Sequence, residues 1–576
     1  GTGGSNFRTA LSAIRAIDNT RPTHYEGFGV GPGNPADLDS KMYSPILPYP
    51  NPDAKQRLLA SVALTATDTA LTKPFYLCEF AHAMFNSMGS LKEYGEAIDK
   101  YPSLLGGAIW EFQDQGIWNR RNPARPILAF GGGFGEFPND HYFIHKGVFT
   151  SDRQPKPHYP EMKHVFQWIG ISAENLAGGS FRIRNKYQFV DLSGLEASYV
   201  VTKNGQPHSS GTFSVAGIGP RSEKTITIPY AGEDREPGAV YHLRLSFKLA
   251  NDQLWAPKGY EVASEQFELP SAEKGATLET AATAPLRLEQ TDTSIAVQGK
   301  EFRLEFNKAL GTISRMVVNG NNVLQENGGP LLHLWRAPHQ QDDLYADRGW
   351  EETGLKYLRW TTKSISAKQL SPASVSVTAI LVGSGIHGFS VSHDVVYTIS
   401  GDGTIKVQNS VAASDANLVL ARMGVRLFLN KAYERFDYFG RGPFENYSDR
   451  KSGSDAGIYG STVMQQLTPY ERPMECGNHE DVYWATLSNR EGAGLKIMAD
   501  KTLLQVAALP YSDEELARTE NRIDLPQSTS TVVAIGYKTL GVGSNSCGPT
   551  PMPEYTVKAA PANFTYLMKL VTGRGK

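Results

Sequence analysis

The 576-residue chain carries 57 Lys and Arg against 59 Asp and Glu, a formal net charge of -2. That near balance argues against nucleic acid or an anionic membrane surface as a partner and favours a neutral or weakly charged small substrate. The composition, 40% hydrophobic and 20% charged, is that of an ordinary globular protein, and the length exceeds what one core supports, so roughly three or four domains are expected. No apolar run approaches the ~18 residues needed to span a bilayer, and no membrane is expected as a partner. Cys78, Cys476 and Cys547 are far apart and form no CxxC pair, which leaves neither a disulfide framework nor a zinc knuckle.

The opening Gly1 to Asn6 has no initiator Met, charged n-region or apolar h-region and reads as cut rather than begun. The compartment, cytoplasm or periplasm, is left open. Phe7, Leu11, Ile14 and Ile17 then recur at helical spacing before Arg21-Pro22. Thr23 to Glu26 predicts a short strand stopped by Gly27, and Lys41 to Ile46 another. Asp53 can cap a helix carrying Leu58, Leu59 and Val62.

Phe75-Tyr76-Leu77-Cys78-Glu79 follows Pro74 and reads as a buried strand ending in a carboxylate, with His82 three positions on. A helix over Leu91 to Ile98, a strand over Gly106 to Trp110, a long loop with Gly131-Gly132-Gly133, and a helix near Tyr159 to Trp168 complete the segment. Regular alternation of strand and helix predicts a parallel sheet with crossover helices. About four strand-helix units fit before residue 170, whereas a (β/α)8 barrel needs ~250 residues, so residues 1–169 are expected to be the C-terminal half of a barrel.

From residue 170 to 270 the pattern switches to short alternating strands, with Asn204-Gly205 as a hairpin turn, predicting an immunoglobulin-like β-sandwich. Residues 271–285 are polar and read as a linker. Residues 286–576 again look like β, with a Gly401-Asp402-Gly403 hairpin and no convincing helix, predicting a large β-sandwich domain.

A carboxylate at the C-terminal end of a parallel strand stands where α/β enzymes keep their chemistry, because only the strand's end reaches solvent. Glu79 is the first candidate; the competing reading is an acid in a structural ion pair. Tyr25, Trp110, Phe112 and Trp118 cluster at the same end. Such rings suit a sugar, whose C–H faces stack on them while its hydroxyls meet groups such as His82, Asn86 and Asn139. No nucleotide-binding glycine loop or Gly-x-Ser-x-Gly elbow is present. His479-Glu480 begins like a zinc-protease motif but position 483 is Tyr, and His141 and His145 lie in a Gly- and Pro-flanked loop unsuited to a helical metal site.

Several stretches together carry a resemblance. Leu77 to Met84 with Asn86-Ser87, Arg21-Pro22 with Tyr25-Glu26-Gly27, Gly107 to Gln115, Phe134-Gly135 with Pro138-Asn139-Asp140, and Gly442 to Arg450 occur in the order in which similar motifs occur in the C-terminal portion of bacterial β-galactosidases of glycoside hydrolase family 2. The resemblance covers essentially the whole chain. It implies that Glu79 is the nucleophile of a retaining glycosidase that removes terminal β-D-galactosyl residues from a β-galactoside or galactose-containing oligosaccharide. A second carboxylic acid about 5 Å away is then required. In the family it precedes a Gly-rich turn similar to Gly1 to Asn6, so the acid/base residue and the magnesium ligands are expected upstream of this chain. By the same carry-over Tyr25 would hydrogen-bond and position Glu79, His82 and Asn139 would contact sugar, and Trp110 would floor the galactosyl ring. Phe143 matches a residue whose carbonyl binds sodium.

Three departures bear on specificity. Lys146 stands where the family has a sodium-binding Asn, and its ammonium could take the cation's place, which argues against a sodium requirement. Phe85 replaces a Gly, and the terminal Trp of the lactose-cleaving enzymes has no counterpart after Trp484. A homo-oligomer is expected by the resemblance. Two alternatives stay open: a β-glycosidase acting on glucuronides or algal galactans, and a non-catalytic carbohydrate-binding or assembly fragment.

Overall fold

A computed structural model describes residues 3–48, 61–230, 235–270, 284–339 and 343–573. The chain is a multidomain, mostly β protein that opens with an α/β region.

In that region helix α1 (Ser5–Ile17) precedes a three-stranded sheet of β1 (Asp39–Ser40), β2 (Phe75–Phe80) and β3 (Leu104–Ile109), ordered β1-β2-β3 with both pairings parallel. Helix α2 (Val62–Thr67) lies between β1 and β2, and α3 (Leu91–Lys100) connects β2 to β3. Ser61 caps α2, its side chain accepting the Leu64 N–H at 3.2 Å. Hairpin β4 (Ile117–Asn119) with β5 (Ile127–Ala129) and helix α4 (His158–Val165) follow. Phe75, Leu77 and Phe80 of β2 are buried in one cluster with Leu91 and Tyr94 of α3.

Two expected strands are absent from their predicted places. Thr23 to Glu26 is not extended pairing: the Thr23 N–H and hydroxyl both donate to Asp37, at 2.8 and 2.6 Å, so a side chain holds the backbone that a ladder would need. The strand sought over Lys41 to Ile46 is instead Asp39–Ser40, because Tyr43 turns into the left-handed region at φ 54° and Pro45 lacks a donor. Asp53, Leu58 and Leu59 lie outside the described residues, as do residues 271–283 of the expected linker.

Next, β6 (Ile169–Asn175), β7 (Ser180–Asn185) and β10 (Glu223–Thr227) form one antiparallel sheet, and β8 (Leu195–Lys203), β9 (Gln206–Phe213), β11 (Tyr241–Leu249) and β12 (Glu261–Leu269) another. Phe181 and Ile183 point inward between outward Arg182 and Arg184, the period-2 alternation of a sandwich. Asn204 and Gly205, both at positive φ, join β8 to β9.

The remainder contains two five-stranded sheets and a nine-stranded one, all antiparallel, whose buried residues from Leu286 to Leu570 form one continuous core. The Gly401-Asp402-Gly403 turn joins two long strands, Ser390–Ser400 and Thr404–Ala413. One expectation is corrected here, since a helix spans Leu344–Thr353 and a shorter one Asp513–Arg518. The first buries Trp350 and ends at Gly354, whose left-handed conformation (φ 66°) stops it.

Candidate active site

β2 is the middle strand, so Glu79, next to last in it, comes out at the sheet's end between the termini of β1 and β3. Its backbone carbonyl accepts the Tyr43 N–H at 2.7 Å, and its Oε2 accepts the Tyr43 hydroxyl, also at 2.7 Å. Burial, then the hydrogen bond to Glu79 and the nearby Cys547 thiol, raises the Tyr43 pKa far above its usual value, so Tyr43 is a permanent donor.

After Phe80 the chain enters a buried loop over residues 81–90, in which Ala81, Phe85, Met88 and Ser90 adopt positive φ. Four non-glycine residues in that region hold their conformation only where surroundings over-determine it, and the surroundings are densely bonded. Ala83 N–H donates to the Trp110 carbonyl (2.8 Å), Phe85 N–H to the His145 carbonyl (3.1 Å) and Ser90 N–H to the Asp449 carbonyl (2.7 Å). Arg450, fully buried, donates Nη2 to Asn86 Oδ1 (2.7 Å) and Nη1 to the Ser87 carbonyl, while Asn86 Nδ2 donates to the Tyr447 hydroxyl (3.0 Å) and the Glu475 carbonyl (2.9 Å). Met84 and Phe85 pack in one apolar cluster with Tyr470, Met474 and Tyr511. The last β domain thus clamps the loop that follows Glu79.

His82 is fully buried at the loop's start, its ring 5.9 Å from that of Tyr43 and 5.7 Å from that of Phe143. Its Nδ1 bonds the Ser546 hydroxyl at 2.6 Å, and its Nε2 has no hydrogen-bond partner. Burial, with the cations of Lys146 and Lys156 adding to it, pushes the imidazole down to about 3, so His82 is neutral at any ordinary pH. Phe143 lies in a 3-10 turn, His141–Ile144. Lys146 Nζ sits 5.9 Å from its ring centre, 3.4 Å from Glu111 Oε1 and 3.3 Å from Gln115 Oε1. The Lys146 ammonium therefore stands beside Phe143 and pairs with Glu111. Among the described residues no group of three or more His, Cys, Asp or Glu side chains is arranged to hold a metal.

The structure gathers Glu79, His82, Trp110 and Phe143 around the ends of β2 and β3. Tyr25 does not donate to Glu79; its ring stacks on Phe7 at 4.2 Å and meets Phe28 edge-on at 5.1 Å, and Tyr43 makes the bond expected of it. Tyr43 lies three residues past the end of β1, where the chain runs beside the end of β2. Asn139 is half-buried, its amide bonded within its own loop to the Glu136 carbonyl (2.9 Å) and the His141 N–H (3.0 Å). Sequence reasoning also missed Ser546, more than 450 residues from His82 and carried in by the last domain. The carboxylates on neighbouring segments are engaged: Glu26 with Lys41 at 3.6 Å, Glu111 with Lys146.

Three family profiles match in sequence: "Glycosyl hydrolases family 2, TIM barrel domain" over residues 2–171, "Beta-galactosidase, domain 4" over 181–270, and "Beta galactosidase small chain" over 298–569. The chain is 33% identical over 566 residues to a β-galactosidase of Priestia megaterium, covering 97% of this chain and 52% of that protein. It is 27% identical to one of Halalkalibacterium halodurans, covering 95% and 52%, and 28% identical to one of Pseudoalteromonas haloplanktis, covering 99% and 55%. The chain therefore spans about half the length of the curated relatives it matches. Matched almost end to end by these profiles and relatives, the chain belongs to glycoside hydrolase family 2.

Proposed function

We propose that this chain is the nucleophile-bearing portion of a retaining β-galactosidase. The observation that carries the reading is Glu79 at the end of the central parallel strand, with the Tyr43 hydroxyl 2.7 Å from Oε2. A bonded Oε2 leaves Oε1 as the attacking oxygen. Oε1 would bond to the anomeric carbon as the glycosidic C–O bond breaks, an acid would protonate the departing oxygen, and water activated by the same group would then cleave the glycosyl ester. Tyr43 would hold the carboxylate in register before attack, and neutral His82 and Trp110 would orient the sugar. Asn139 is assigned to the sugar or its surroundings by resemblance.

In this reading the acid/base residue, any magnesium ligands and the remaining strands of an eight-stranded barrel come from residues outside this chain. Open apolar surface supports it. On α1 only Leu11 is buried while Ile14 and Ile17 are 55% and 89% exposed, and among the described residues β3 pairs only with β2, with Leu105 53% exposed. A closed barrel has no such edge. The engaged state of Glu26 and Glu111 supports an outside acid as well. A homo-oligomer remains part of the proposal by resemblance.

The test is hydrolysis of a panel of aryl glycosides. This chain by itself should be inactive, and the full-length protein should turn over the β-galactoside fastest. Hydrolysis by the 576-residue chain, or a preference for a glucuronide, would contradict the proposal.

A further inference from the structure

Resting on the reading of His82 as a sugar-facing group, we propose that Ser546 is a positioning residue of the active site: the last β domain sets the orientation of the His82 imidazole through this one hydroxyl.

The ring has two means of holding its angle. One is packing between Tyr43 and Phe143, whose rings lie 5.9 and 5.7 Å away; the other is the 2.6 Å bond from Nδ1 to Ser546. Nε2 has no partner, so removal of the Ser546 hydroxyl leaves the imidazole without a hydrogen bond. Packing limits the tilt of a flat ring, but a hydrogen bond also selects between its two flipped orientations.

Ser546 is itself delivered by a latch. The Asp449 carboxylate accepts the N–H groups of Val542 and Gly543, both at 2.9 Å, while its backbone carbonyl accepts the Ser90 N–H at 2.7 Å. Gly89 N–H donates to the Gly543 carbonyl at 2.9 Å. The segment bearing Ser546 is thereby bonded to the far end of the same loop that begins with His82. Gly89 and Gly541 crowd Asp449 so closely that a Cβ at either would meet its carboxylate within 2.6 Å, so the latch has little freedom to slide. Tyr43, which bonds Glu79, also touches the neighbouring Cys547. Two adjacent residues of the last domain therefore reach Tyr43 and His82.

The test is a double-mutant cycle in the full-length protein, run on whichever aryl glycoside the wild type cleaves fastest, so that an error in substrate identity leaves the cycle readable. Ser546→Ala should lower kcat/KM by about 5- to 10-fold, the loss of one neutral hydrogen bond. Ser546→Thr, which keeps the hydroxyl, should recover most of it. In a His82→Phe background Ser546→Ala should cost nothing further, because the group it positions is gone. A second readout needs no turnover: with 15N-histidine labelling, Ser546→Ala should move the His82 ring-nitrogen resonances. Additive losses in the cycle, no rescue by threonine, or unmoved His82 resonances would each overturn the proposal.

Discussion

The α/β region and the last β domain differ in how they treat their edges. In the last domain a nine-stranded sheet and two five-stranded sheets share one core, and its buried charges are matched, Arg336 with Asp343 at 2.6 Å, Arg422 with Glu475, and Arg450 with Glu445 at 3.3 Å. The α/β region holds the nucleophile candidate on three parallel strands, leaves apolar residues of α1 and β3 exposed, and borrows much of its order from the last domain. The proposed nucleophile sits on the small sheet, and much of the order around it comes from the last domain. This arrangement makes sense if the strained loop over residues 81–90 is too costly for the small sheet to hold by itself.

The comparison can be broken at several points. Glu79→Gln in the full-length protein should lower kcat by roughly 10³-fold or more, since an amide is no nucleophile at carbon; near-normal turnover would remove the α/β region from the chemistry. Arg450→Met should cost about 3–5 kcal/mol of stability by stranding Glu445, Asn86 Oδ1 and the Ser87 carbonyl. Thermal unfolding checks it, and an unchanged midpoint would mean that the clamp is dispensable. Tyr43→Phe removes a hydrogen bond to a charged oxygen, worth about 1.5–3 kcal/mol, so kcat should fall about 10- to 100-fold with the fold intact.

A pH scan sharpens the contrast between buried and exposed groups. His82 is pushed down to about 3, and His333 and His479 to about 4, chiefly by burial. Below about 6.5 the unfolded chain protonates these rings while the folded chain does not, so their contribution falls from pH 6.5 toward 4 and is flat above. Glu480, raised by burial to about 7, has the opposite sign and loses stability as pH rises from about 4.5 to 7. Burial also lowers His24, His158, His242, His339 and His393, which makes, among the described residues, eight lowered histidines against six raised carboxylates (Glu93, Asp347, Asp449, Glu471, Glu475 and Glu480) and the raised His164, so the thermal midpoint should drop between pH 7 and 5. A midpoint that rises on acidification would contradict the neutral assignments. The smallest effect is expected from Arg182→Met, on the outer face of the sandwich, where the side chain is 49% exposed beside Glu174 and Glu223: the thermal midpoint should not move measurably.

The strand ending in Glu79 was legible because four local signals agree: a preceding proline, an apolar run of strand length, a terminal acid and a following loop. The sandwich was legible for a similar reason, its alternation having period 2. The Leu344–Thr353 helix was not, because it lies among strands, contains Gly349, and follows Asp343, whose carboxylate is bonded to Arg336 rather than to the helix's own N–H groups. Tyr43 was hidden because the strand was sought over Lys41 to Ile46, with Tyr43 inside it, whereas the observed strand ends at Ser40. Ser546 and the Arg450 clamp are contacts across hundreds of residues, and no local pattern encodes which distant hydroxyl meets an imidazole.

The central claim is that Glu79 becomes covalently bonded to the sugar. Incubating the full-length protein with an activated 2-deoxy-2-fluorogalactoside should slow deglycosylation enough to trap the ester, and peptide mass analysis should find the fluorosugar on Glu79. A label on another residue would contradict the account.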